Sequence, residues 1–587
     1  MRRTLFSAAA VLALFFATAS NSVSAQVAPP PVANAAQLAA PTREEIDRRT
    51  QEGAPRSARL TVDGDIERAP CALDSPAYAD IKVTITEAQF NNLQGVSAEE
   101  LKASYASLLG ADRPISTICT IRDAAATALR RKGYLAAVQV PVQRIENGVV
   151  KFEVLFAKIV AIRVRGDAGK AEGLLAGYLK HLTEEKVFNR FVAERYLLLS
   201  RDLPGYEVRL ALKPAGTAPG ELVGEVSVVR SPLDISANLQ NFSSHSSGRW
   251  TGALAAQAYG LLGGDRLTAS VSSTADFKEQ QVVQLGYDAR LGGEGLTWSG
   301  NFTYAWSKPD IGAVAGAGTE LTARTLFATG ELRYPVIRSQ SFSLLGAAGL
   351  DYLNQTVELK PFVPSKLSID HLRVAFLRLD MDAADISEQH APMWRASGSL
   401  ELRQGLDILG TDTGARGPSR ADGDQTSTLI RGSASIELNM GKGMWLVATP
   451  RFQYAFDPLF SFEEISAGNY SIGRGYDPGV ITGDSGIGSG FEWRLPRIVP
   501  FRNANLALLP FTFVDVLWTW NKNNPLDGGQ TDGAVVSAGA GVRAQLNNRF
   551  RIDGTVAVPL RKAGLQTRNH DPRFLLSLST KLWPWDN

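Results

Sequence analysis

"LPFTFVDVLWTWN", residues 509–521, alternates by chemical type along its length. Thr512, Val514, Val516, Trp518 and Trp520 fall on one side of an extended chain, and Phe511, Phe513, Asp515 and Leu517 on the other. A period of two is that of a β-strand. The first side is uncharged and ends in two tryptophans, whereas the second holds the only acid of the stretch. That division suits a strand with lipid on one face and a watered lumen on the other, and equally a half-buried strand of a soluble sandwich.

The surrounding sequence separates the two. Short alternating runs recur from Ser231 onward, among them "ASIELNM", "SLELRQGLDI" and "RFLLSLSTKLW". In "RIDGTVAVPL" Ile552, Gly554, Val556, Val558 and Leu560 oppose Arg551, Asp553 and Thr555. About sixteen such segments fit between residues 231 and 587, roughly 22 residues each, enough for a spanning strand of about ten residues and its connection. All ten tryptophans, Trp250 to Trp585, lie after residue 230, and several sit near strand ends, where an aromatic girdle belongs. At the other end of the chain, Arg2 and Arg3, the apolar run Leu5 to Ala17 and Val23-Ser24-Ala25 make the pattern of a secretory signal peptide over residues 1–25. No later stretch approaches 18 consecutive apolar residues, so spanning helices are not expected. The prediction is an all-β transmembrane barrel of about 16 antiparallel strands over residues 231–587, with an even strand count. A formal net charge of +2 gives no sign of nucleic acid as a partner.

Residues 26–70 read as a linker with Pro29, Pro30, Pro31 and Pro41. One helix opens at Thr42, with Glu45 completing a capping box, and extends to about residue 53. "REEIDRRTQE" has no apolar stripe, so this helix is expected either in solvent or docked in a polar cavity rather than anchored by core burial. Residues 71–156 read strand, helix, helix, strand, strand. Ile81, Val83 and Ile85 alternate in the first strand, Ser97 and Glu100 open a helix carrying Leu101, Tyr105, Leu108 and Leu109, and Ile118, Ile121, Ala125 and Leu129 line a second that stops at Gly133. "LAAVQVPVQ" and "VVKFEVLF" follow, joined through Asn147-Gly148, a hairpin dipeptide. The same order recurs over residues 157–230, from "IVAIRVRG" to "ELVGEVSVV". Cys71 and Cys119, the only cysteines, form a disulfide or remain two thiols; sequence separation does not decide.

The wording of these units, "RRKGYLAAVQVPVQRIENGVV" and "LLLSRDLPGYEVRLALKPAGTAPGELVGEV", resembles polypeptide-transport-associated (POTRA) domains. Small three-stranded sheets leave an edge able to accept a strand from an unfolded client; a rigid spacer is the other reading.

Counting strands outward from the small domains, the eleventh is "MWLVATPRFQYAF", the twelfth "GIGSGFEWRL" and the thirteenth the stretch quoted first. The connection from about Asp457 to Ser485 is far longer than a hairpin needs and contains "SIGRGYDPG", residues 471–479. A loop folded back into the lumen can dock its Arg474 on an inward acid, and Asp515 is the candidate. Gly473 and Gly475 would let the backbone approach the wall.

With R-G-Y at 474–476, G-D-S-G at 483–486 and F-V-D at 513–515 on the page, the chain is similar to the two-partner secretion outer-membrane transporters (TpsB family). The likeness covers roughly residues 71–587. It implies that Arg474, Gly475, Tyr476, Phe513 and Asp515, with Gly473 and Asp484, position the loop, and that the early helix plugs the pore at rest. It also implies a bacterial outer-membrane pore with POTRA domains in the periplasm, translocating a partner exoprotein of haemolysin or adhesin type. That partner would be recognised through its amino-terminal secretion domain, with membrane lipid and the barrel assembly machinery as further partners. Two positions depart from the pattern: Leu517 replaces a glycine common after F-x-D, and the chain ends "WPWDN".

No catalytic residue, metal or cofactor is expected. "GDSG" resembles a serine-protease stretch, but Ile487 stands where its next glycine would be, and Ser485 reads as a turn residue. His181, His245, His371, His390 and His570 have no metal-ligand spacing, and no nucleotide-binding loop occurs. An insertase for other barrel proteins and a passive solute porin are the competing functions.

Overall fold

The computed structural model describes residues 40–46, 71–310, 320–360, 366–386, 392–411, 417–500, 505–522, 533–547, 549–564 and 571–584. The expected signal peptide and most of the linker lie outside them. Among the described residues no helix is long and apolar enough to cross a membrane.

Residues 71–230 fold as two small α+β units. The first holds β1 (Lys82–Thr84), β2 (Glu87–Asn91), β3 (Asp112–Pro114), β4 (Ala136–Gln139) and β5 (Val149–Phe156), with its main helix at Thr117–Arg131. β5 is central, parallel to β2 and antiparallel to β4. Leu101, Ile118, Ile121, Leu129, Val150 and Phe152 are buried between sheet and helix. Asn147 and Gly148 both take positive φ, as their hairpin turn requires. The run at 81–86 departs from expectation. Lys82–Thr84 pairs with β3 in a separate two-stranded sheet, and the first strand of the main sheet is the next alternating stretch, "EAQFN", which buries Ala88 and Phe90. Glu, Gln and Asn hid that strand, because they disfavour strand by propensity. The helix opened by Ser97 and Glu100 has the capping box but spans only Ala98–Lys102, with a 3-10 turn at Ala106–Leu108. Cys71 and Cys119 are joined by a disulfide that pins the start of this unit to its main helix.

The second unit repeats the topology with β6 (Lys158–Gly166), β7 (Tyr206–Pro214), β8 (Glu221–Arg230) and helices at Glu172–Glu184 and Arg190–Arg201. β8 is central. This unit abuts the turns at one end of the barrel: Arg338 donates two bonds of 2.7 Å to Asp202, and Arg195 donates to the Pro335 carbonyl at 3.0 Å.

The rest is a closed antiparallel barrel of sixteen strands: β9 (Leu233–Gln240), β10 (Thr251–Tyr259), β11 (Asp265–Thr274), β12 (Gln280–Leu291), β13 (Leu296–Ser307), β14 (Glu320–Arg338), β15 (Phe342–Lys360), β16 (Lys366–Ala384), β17 (Trp394–Gly405), β18 (Thr428–Gly441), β19 (Met444–Ala455), β22 (Ser485–Arg494), β23 (Leu506–Trp520), β24 (Gly533–Leu546), β25 (Phe550–Pro559) and β26 (Arg573–Trp583). β20 (Ile465–Ala467) and β21 (Ile481–Gly483) make a small hairpin within the β19–β22 loop. β26 closes on β9, where Asn238 donates to Ser577 and Ser579 and Lys581 pairs with Asp234. β19, β22 and β23 are the eleventh to thirteenth barrel strands. Outward-pointing Trp298, Trp306, Trp394, Trp493, Trp518 and Trp583 are each 41% to 51% exposed. An apolar surface so continuous around the whole perimeter is the face of a protein solvated by lipid. β9 leaves the second unit, so odd-numbered barrel strands run away from it, and Trp518 and Trp520 stand at the far rim.

Candidate functional site

The lumen is filled by the β19–β22 loop and by a short piece of the N-terminal segment. Alternation on β23 turns Phe511, Phe513, Asp515 and Leu517 inward, all buried. On the strands either side, Gly490 of β22 and Ser537 of β24 stand directly opposite Asp515. Arg474, at the loop tip, meets that carboxylate three times: its backbone N–H donates to Oδ2 at 2.9 Å, Nε to Oδ2 at 3.0 Å and Nη2 to Oδ1 at 2.8 Å. Its guanidinium carbon lies 3.5 Å from the centroid of the Phe513 ring, so the phenyl is a platform as well as a wall. Nη1 reaches a second acid, Glu492 of β22, at 3.1 Å. Glu492 is also held by Arg494 and Arg543, and Arg543 covers the Phe511 ring at 4.1 Å. Sequence reasoning missed Glu492, although the alternation of "GIGSGFEWRL" places it on the lumen side.

The two glycines beside Arg474 have different reasons. Gly475 presses on the wall: a Cβ there would lie 2.8 Å from Ser537 and 2.9 Å from the Pro559 nitrogen. Gly473 takes φ +122°, which disfavours any side chain, while its surroundings are of ordinary van der Waals distance. The expectation that both serve close approach therefore holds for Gly475 alone. Tyr476 is fully buried; its hydroxyl donates to the Val536 carbonyl at 2.8 Å and to that of Arg561. Leu517, the departure from the family pattern, packs with Tyr476, Ile465, Ile472 and Val535. Asp484 sits apart from Arg474, at the loop's base. It accepts backbone N–H bonds from Leu459 and Lys522, each 2.8 Å, and pairs with Arg420 of the β17–β18 loop. Arg420 also pairs with Glu464 and Asp422. Burial, reinforced by the neighbouring Asp484 charge, pushes the Glu464 carboxyl up to about 7 despite Arg420. Ser485 accepts from the Ala455 N–H and opens β22, a structural position.

The N-terminal segment contributes a helical turn, Arg43–Ile46, with the Thr42–Glu45 capping box formed. Arg43 donates to Glu463 of the loop at 2.8 Å and to Asp351 of β15 at 3.0 Å, and Glu44 accepts from Ser466 and Arg451. Arg403 of β17 bonds the same Glu463 and Asp351, and also Glu401. Ile46 is 3% exposed and packs on Phe327, Leu353, Leu372, Val374, Phe460 and Phe462. The expectation that no core burial anchors this helix is thus corrected: a single isoleucine finds an apolar patch on the inner wall, which no stripe in the sequence could announce. The remainder of the expected helix, beyond Ile46, lies outside the described residues.

A sixteen-stranded barrel with two small domains at one mouth and an arginine-tipped loop in its lumen defines a class of outer-membrane transporter. The family model for haemolysin secretion/activation protein ShlB/FhaC/HecB matches residues 226–544, more than half of the chain, and the chain belongs to that family. Solved structures share the fold, two of them being bacterial CdiB proteins. CdiB from Escherichia coli has a TM-score of 0.71 at 15% identity, covering 89% of this chain and 94% of that one. CdiB from Acinetobacter baumannii has a TM-score of 0.63 at 17% identity, covering 92% and 96%. No curated protein matches the chain in sequence. The protein is a two-partner secretion transporter of the outer membrane that carries a partner exoprotein to the cell surface, and the comparisons do not favour the insertase.

Proposed function

We propose how the parts share that task. Residues 71–156 and 157–230 are POTRA domains in the periplasm, where an unfolded exoprotein pairs its amino-terminal secretion domain with an edge strand. β6 is such an edge, with one neighbour only and with Val160 and Val164 exposed. The segment beginning at Thr42 plugs the pore at rest. Arg474, Gly475, Tyr476, Phe513 and Asp515, with Gly473 and Asp484, hold the loop against the wall while the chain threads past, and folding of the client outside supplies the driving force.

The observation that carries this reading is Glu463: one loop carboxylate bonded both to Arg43 of the plug segment and to Arg403 of the wall. Plug, loop and barrel meet on a single group, so a client that displaces the segment acts on the loop at once. Quantitative mass spectrometry of culture medium and outer membranes, with the gene intact, deleted or carrying Arg474→Ala, tests it. The expected result is loss of one large secreted protein in both altered strains, with other barrel proteins unchanged. Unchanged secretion by Arg474→Ala would sink the loop-positioning role, and broad depletion of barrel proteins on deletion would sink the transporter reading itself.

A further inference from the structure

The far rim carries a second feature. Trp518 and Trp520 of β23, Gly533 and Ala534 of β24, and Arg561 just beyond β25 line a cleft of about 290 Å³ together with Thr519. Trp518 points outward and is half exposed. The two indoles stand at the end of β23 away from the small domains, where an aromatic girdle meets lipid headgroups. Arg561 is exposed, and among the described residues its guanidinium has no hydrogen bond and no carboxylate partner. Lys562, also exposed, follows it. Among the described residues that line the cleft, Arg561 is the one charged group.

We infer that this cleft binds a phosphorylated lipid of the outer leaflet, with the headgroup phosphate on Arg561 and the adjoining sugar or acyl region against Trp518 and Trp520. A guanidinium fork matches phosphate oxygens in a way that an ammonium does not, and indoles at the interface present an apolar body beside a polar edge. The position of Arg561 is set from inside the barrel: its backbone N–H donates to the Tyr476 hydroxyl at 3.3 Å, and its carbonyl accepts from that hydroxyl. The docked loop thus places the cation that meets the lipid. By linkage, lipid in the cleft favours the docked loop to the same degree that the docked loop favours lipid.

Native mass spectrometry of the full-length protein titrated with lipid A in detergent tests the inference, with heat-modifiable migration on gels as the check that each variant is folded. One saturable lipid A is expected. Arg561→Gln should weaken it by about tenfold, the loss of one charge-assisted contact. Dephosphorylated lipid A should bind the unaltered protein as weakly as lipid A binds that variant. Arg324→Gln, which removes a rim arginine on a distant strand, should change nothing, and Tyr476→Phe should weaken binding by a smaller factor. Equal retention by Arg561→Gln and the unaltered protein, or equal binding of the dephosphorylated lipid, overturns the site. Displacement by inorganic phosphate alone would replace the lipid with a free-anion site and overturn it as well. Retention unchanged in Tyr476→Phe removes the link to the loop.

Discussion

Two arginines enter the lumen from different parts of the chain, and their partners differ in what remains when each leaves. Asp515 is 3% exposed at its side chain and depends on Arg474; among the described residues its other hydrogen-bond partner is the Ser537 hydroxyl at 3.5 Å. Asp351 and Glu463, which receive Arg43, are also bonded by Arg403 of the wall at 2.8 Å each. Withdrawing Arg474 therefore strands a buried carboxylate. Withdrawing Arg43 leaves two carboxylates that still share a cation. A buried charge pair is costly to break chiefly because of the partner left behind. Among the described residues the barrel keeps a substitute cation for the helix and none for Asp515, which on the proposed function would let the first contact release while the second persists.

The sharpest way to break this comparison is at the loop. Arg474→Ala should destabilise by about 3 kcal/mol, the low end for a buried pair, because the arginine itself is 22% exposed. The midpoint of heat-modifiable unfolding on gels reads it, and an unchanged midpoint would mean that water already screens Asp515. Next comes the wall cation. Arg403→Gln leaves Asp351, Glu463 and Glu401 crowded whenever the helix is out. Deletion of residues 41–46 should accordingly be tolerated in the unaltered barrel and cost about 2 kcal/mol more in the Arg403→Gln background, measured as a double-mutant cycle. Additive effects would refute the substitute role. Arg43→Ala alone should change stability by no more than about 1 kcal/mol, since Arg403 compensates. It should nonetheless raise conductance in planar bilayers several-fold if the segment occludes the pore.

The smallest effect concerns pH. With Glu464 held at about 7 when docked and near 4.5 when the loop is free, the docked state binds more protons across that interval. Docking is then strongest below pH 4.5 and weakens as pH rises through 7. Glu464→Gln should flatten the dependence; a docked loop insensitive to pH in the unaltered protein contradicts it.

Strand order and the sides of each strand were legible because a period of two survives in local sequence, so Asp515 could be turned inward and matched to Arg474. Partners related by height in the barrel were not legible. Arg43 and Glu463 lie 420 residues apart, and alternation says only that a side chain faces the lumen, never at which level. Arg420 reaches Asp484 from a different loop for which no period exists. In the first small domain the misreading had another source: two short strands in succession, Lys82–Thr84 and Glu87–Asn91, serve different sheets, and only the more apolar of them looked like a strand.

The disulfide between Cys71 and Cys119 has a consequence for the plug segment. It fastens the chain at residue 71 to a folded domain, and residues 47–70 are all that lies between that point and Ile46. At full extension they reach on the order of 80 Å, so an expelled helix stays on a leash and never diffuses away. Its return is a first-order event governed by the effective concentration at the barrel mouth rather than by protein abundance. If the segment plugs the pore as proposed, resealing requires no second molecule, and a membrane with few copies would close its pores as fast as one with many.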